Sequence, residues 1–67
     1  MSRKDELNKL VEGVNKGTVK ARRLEDFCTE LADFLDEAEV APYSVRGSWD
    51  NGDLTVSDLV DLLDKVQ

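Results

Sequence analysis

The chain contains no histidine, and only one cysteine, one proline, one tryptophan, one tyrosine and two phenylalanines. Each scarcity removes a class of function. Without histidine there is no side chain that ordinarily titrates near neutrality, no Ser-His or Cys-His nucleophile pair, and none of the commonest transition-metal ligand. A lone cysteine, Cys28, forbids an internal disulfide and with it the stapled scaffolds of small secreted domains. No apolar run approaches the roughly 20 residues of a membrane-spanning helix. The opening MSRKDEL carries charge with no hydrophobic region behind it, so neither a secretory signal nor a lipidation motif is expected and the chain reads as cytosolic. These absences argue against an enzyme, a cofactor protein and a membrane protein.

What is present is a small domain rich in charge. The 67 residues are 40% hydrophobic and 36% charged, apolar enough to fold and too polar for a bilayer. A chain of this length buries only about 60% of its unfolded surface, so a deep active-site cleft would compete with the core for residues.

Apolar spacing predicts three helices in an all-α domain. Leu7, Leu10, Val11 and Val14 fall on one face of a first helix from Arg3 to Lys16, with Ser2 and Asp5 at capping-box positions and Gly17 as its C-terminal stop. Thr18 is the expected N-cap of a second helix, whose stripe is Leu24, Phe27, Cys28, Leu31, Phe34, Leu35 and Ala38 and which ends before Pro42. A last helix opens at LTVSDL, where Thr55 and Asp58 form a capping box and Leu54 reaches towards Leu59. Its apolar set, Val56, Leu59, Val60, Leu62, Leu63 and Val66, is broader than one stripe. With Leu62 and Val66 off the main face, a homodimer through this helix is expected. Between the second and last helices, about residues 43–54, an irregular segment or a short β-hairpin turning at Asn51-Gly52 is expected.

That segment also imitates a calcium loop. Asn51, Gly52 and Asp58 stand at positions 5, 6 and 12 of an EF-hand-type register, but positions 1 and 3 are then Gly47 and Trp49, which offer no side-chain oxygen. A solvated turn is the expectation, with no metal and no cofactor. Cys28 lies in the apolar stripe, where a thiol acts as a small hydrophobe. Trp49 is expected to close one end of the core. The alternative is an exposed partner-binding anchor made with Tyr43 and Arg46, residue types that dominate binding hot spots.

Charge divides the chain within one stretch, KARRLEDF. Residues 1–23 hold seven cations (Arg3, Lys4, Lys9, Lys16, Lys20, Arg22, Arg23) against three acids (Asp5, Glu6, Glu12), a formal +4; the remaining 44 residues hold Arg46 and Lys65 against twelve acids, a formal −10. Within the second helix Asp26, Glu30, Asp33 and Glu37 repeat at helical spacing opposite the apolar stripe. The helix also begins with cations and ends near Glu37 and Glu39, the reverse of what its dipole favours, at about 0.3–1 kcal/mol per misplaced charge. Like-charge neighbours along the stripe add several tenths of a kcal/mol. A marginal domain that retains such a conflict is expected to use the surface that causes it.

The expectation is therefore a small, non-enzymatic inhibitor or adaptor, of the kind phages and mobile elements encode, that docks Asp26, Glu30, Asp33 and Glu37 on a basic surface of a protein partner, with Tyr43, Arg46 and Trp49 as candidate anchors. One alternative is a DNA mimic. Duplex DNA carries a charge about every 1.7 Å of axis, whereas a helical stripe at 1.5 Å per residue offers one about every 5–6 Å. The other alternative, a nucleic-acid binder using the basic N-terminal third, lacks an aromatic in residues 1–23 to stack a base and faces repulsion from the acidic remainder.

Overall fold

The computed structural model describes residues 2–66, which form four helices and no strand: α1 (Arg3–Lys16), α2 (Ala21–Glu37), α3 (Val45–Asp50) and α4 (Val56–Val66). The all-α architecture follows the apolar spacing, with one helix more than that spacing predicts.

α1 keeps its expected bounds because both ends are locally encoded. The Ser2 hydroxyl accepts from the Asp5 amide at 3.2 Å. At the other end Gly17 takes φ 79°, which lets the Gly17 amide reach Val14 O and the Thr18 amide reach Gly13 O. This pairing is the Schellman stop, and the left-handed residue inside it costs least as glycine. Thr18 does not cap α2. Its hydroxyl donates back to Gly13 O, joining the Thr18 and Val19 amides on the same carbonyl, and α2 starts behind Lys20 with no side-chain cap.

The segment expected as irregular or a β-hairpin contains α3 instead. Asn51-Gly52 does not turn a hairpin; it ends a helix. Gly52 takes φ 78°, its amide donates to Trp49 O and the Asp53 amide donates to Ser48 O, a second Schellman stop. The start of α3 is held from two sides. Ser44 Oγ accepts from the Gly47 amide at 3.1 Å, and the Asp36 carboxylate of α2 accepts from the Val45 and Arg46 amides at 2.6 and 2.9 Å. A six-residue helix is too short to stand alone in water, so α3 exists because α2 supplies its cap and its packing surface.

α4 opens with the expected capping box. Thr55 N donates to Asp58 Oδ2 at 2.8 Å while Asp58 N donates to Thr55 Oγ1 at 3.4 Å. α2 lies centrally and packs against α1, α3 and α4. The core is Leu7 from α1, Cys28, Leu31, Ala32 and Leu35 from α2, Val45 from α3, and Leu59, Leu62 and Leu63 from α4. Leu62 was expected to lie off the core face, but it is only 5% exposed, because α4 is covered by both α2 and α1. Of the two residues from which a homodimer was expected, Leu62 is thus core and Val66 stays on the surface. Among the described residues the large hydrophobics left exposed are Tyr43 and Val66.

Candidate functional site

Three of the four stripe acids, Asp26, Glu30 and Glu37, are exposed and in no ion pair among the described residues. Asp33 differs. Its carboxylate is 2.8 Å from Arg46 Nη1, and Arg46 Nε reaches Asp50 at 3.1 Å, so one guanidinium ties α2 to the two ends of α3. Asp33 and Asp50 hold the Arg46 guanidinium above its already high ordinary pKa.

Asp36, one position off the stripe, is also committed to the fold. It accepts two backbone amides and, at 3.4 Å, the Ser44 hydroxyl. The Arg46 amide, followed by the Val45 amide and Ser44, holds the carboxyl below the usual carboxylate range against an opposing contribution from burial. Sequence spacing did not single out Asp36, because its partners lie nine and ten residues away on an element that spacing does not predict. The α2 acids are thus of two kinds: Asp33 and Asp36 hold α3, while Glu25, Asp26, Glu30 and Glu37 face solvent.

The three candidate anchors do not share one condition. Tyr43 is 48% exposed in the α2–α3 connection. Arg46 is occupied by its two acids. Trp49 is half-buried against the core, and its indole N–H donates to Thr29 Oγ1 of α2 at 3.2 Å, which is the core-closing role expected of it.

The N-terminal cations are likewise partly used within the fold. Arg3 lies over the Phe34 ring with Cζ 3.8 Å from the centroid, and Lys4 pairs with Asp64 at 2.7 Å, which raises the lysine pKa. Lys16 pairs with Glu12 one turn away.

Between α1 and α2 runs an open groove of about 200 Å³, lined by Glu6, Leu10, Arg23, Asp26, Phe27 and Glu30. Leu10 and Phe27 supply apolar surface, three carboxylates and one guanidinium supply charge, and two of the solvent-facing stripe acids stand on it. Sequence reasoning found Asp26 and Glu30 but not the groove, because Glu6 and Leu10 join them only once α1 packs on α2. The signal available was limited to Phe27, an aromatic at the edge of the α2 stripe between two acids of that spacing.

Cys28 is buried and its thiol is pushed up to about 11, first by burial and then by Glu25, so it stays protonated and unreactive at neutral pH. The residues of the calcium-like register are divided between α3, a helix stop and α4, with Asp58 engaged by Thr55. Among the described residues no group of three or more His, Cys, Asp or Glu is placed to hold a metal ion, and no helix is long and apolar enough to cross a membrane. Compared with known proteins, the chain matches no family model, no curated protein and no solved structure.

Proposed function

We propose that the protein is a non-enzymatic binding module, an inhibitor or adaptor acting in the cytosol, that docks the acidic face of α2 on a basic surface of a protein partner. The observation that carries this reading is the division among the α2 acids. Asp33 and Asp36 have structural work, and that explains their presence. Asp26 and Glu30 are in no ion pair among the described residues and stand together on the α1–α2 groove.

The size of the groove supports a binding module over an enzyme or cofactor protein, since pockets for small molecules are typically about 300–1,000 Å³ and mostly enclosed. The pairing of Asp33 with Arg46 weighs against a DNA mimic. It leaves the charges of Glu30 and Glu37 seven positions apart, about 10 Å of helix at 1.5 Å per residue, far from the phosphate spacing.

The test is the pair Asp26→Asn with Glu30→Gln. Both residues are exposed and in no ion pair among the described residues, so the variant should melt within the range of an ordinary surface change, about 0.5 kcal/mol of wild type. Proteins of the native host retained by the immobilised wild-type chain at low salt should be lost from the variant and from wild type at high salt, as expected for charge-steered association. Retention of the same proteins by the variant would refute the reading.

A further inference from the structure

We infer that the α1–α2 groove is an anchor site for an arginine side chain of the partner, held over Phe27 and between Glu6, Asp26 and Glu30; this rests on the protein-binding reading of α2 and assigns it a residue type and a place.

The same helix already contains the interaction once. Phe27 and Phe34 are seven residues apart, so they project from nearly the same side of α2. Phe34 is covered by a guanidinium of its own chain, with Arg3 Cζ 3.8 Å from the ring centroid. Phe27, two turns towards the N-terminus, is half-buried and lines the groove with no cation of the described residues over its ring. Around it the charge is unbalanced: Glu6, Asp26 and Glu30 against Arg23, none of them in an ion pair among the described residues.

A site with aromatic and leucine surface at its floor and a net negative rim is complementary to a group that is apolar along its stem and cationic at its end. Arginine fits better than lysine. Its planar guanidinium stacks on an aromatic face and donates in two directions to carboxylates, whereas an ammonium is more strongly hydrated and acts as a point charge. The volume, about 200 Å³, suits one inserted side chain and not a cofactor.

The full chain, labelled with nitrogen-15, is titrated with acetylated, amidated tetra-arginine and separately with tetra-lysine at low salt, and amide shifts are followed. Tetra-arginine should bind about two- to fivefold tighter than tetra-lysine, the factor a solvent-exposed cation–π contact supplies, with the largest shifts at Leu10, Asp26, Phe27 and Glu30. Phe27→Leu, which retains apolar volume, should lower the arginine affinity to the lysine level and leave lysine binding as it was; Asp26→Asn with Glu30→Gln should weaken both. Equal affinity of wild type for the two peptides, or shifts centred on α3 or α4, would overturn the arginine anchor while leaving the acidic face as a binding surface. Binding of neither peptide would overturn both. The wild-type comparison decides the matter even if Phe27→Leu does not fold.

Discussion

Replacing Asp36 with alanine should unfasten α3 and through it much of the domain. The carboxylate accepts the Val45 amide at 2.6 Å and the Arg46 amide at 2.9 Å, and hydrogen bonds to charged groups contribute about 1.5–3 kcal/mol each. Because the site is partly open to water, the lower end applies, and the pair is worth about 2–3 kcal/mol. A chain of 67 residues has a total stability of about 3–10 kcal/mol at ordinary values per residue. The loss should therefore lower Tm by about 10–20 °C, at 4–8 °C per kcal/mol for a domain this small.

Trp49, the only tryptophan, reports directly on α3, since it packs on the core and donates to Thr29 from that helix. In Asp36→Ala its fluorescence should shift to the red at temperatures where far-ultraviolet circular dichroism still shows α1, α2 and α4. The acid dependence gives an independent check. With its native pKa below the ordinary value of about 3.9, Asp36 contributes its full stabilisation above that pH and loses it as pH falls through the native pKa. The stability gap between wild type and Asp36→Asn should thus be constant from pH 7 to about 5 and narrow below about 4. A variant Asp36→Ala that melts within about 2 °C of wild type, a small fraction of the expected shift, would refute the idea that α2 caps α3.

Other outcomes follow from the same contacts. Glu39→Gly should stabilise the domain by about 0.5–1 kcal/mol in urea unfolding, because Glu39 holds φ 54° past the end of α2, a left-handed conformation that costs a residue with Cβ about 1–2 kcal/mol, less the greater unfolded-state freedom of glycine. Gly13→Ala should destabilise despite improving helix propensity: an added Cβ would run into Val19 Cγ2 and approach Val19 Cβ to 3.0 Å, and overpacking of about 1–3 kcal/mol exceeds the propensity gain of up to about 1 kcal/mol. Asp33→Lys should lower the thermal midpoint, since it breaks the pair with Arg46 and sets a cation against it, whereas Glu37→Lys, unpaired at the C-terminal end of α2, should leave it unchanged or raise it.

Where the fold was legible in the sequence, the signal was local. α1 carries its stop in Gly17 and its start in Ser2, and α4 carries Thr55 and Asp58 three residues apart. α3 was not legible because its cap comes largely from Asp36 across the α2–α3 connection, and Asn51-Gly52 serves a helix stop as readily as a hairpin turn: both need the left-handed glycine. Thr18 misled in the other direction. An N-cap residue type was present, but three donors converging on Gly13 O required that hydroxyl to turn back towards α1. Leu62 lies off the main stripe of α4 by spacing, and it is buried because α4 packs on both α2 and α1.

The candidate site was half legible for a related reason. Asp26, Glu30, Asp33 and Glu37 are equivalent by spacing, and no property of the sequence around Asp33 distinguishes it from Glu30. The difference arises when α3 lands beside the C-terminal half of α2 and brings Arg46 to Asp33. α1 runs along α2 as far as Phe34, and beside Asp26 and Glu30 it brings Glu6, another acid, with Leu10. Asp33 is thereby paired, whereas Asp26 and Glu30 gain a third acid beside them, with Arg23 as the cation of that groove. A charge-by-charge substitution of α2 should consequently fall into two groups along the helix: Asp33 and Asp36 variants that shift the melting temperature, and Asp26 and Glu30 variants that shift peptide affinity at unchanged melting temperature. An acidic face kept only for solubility would show no such second group, since neutralising Asp26 and Glu30 would then lower affinity no more than neutralising other exposed acids such as Asp53 and Asp61.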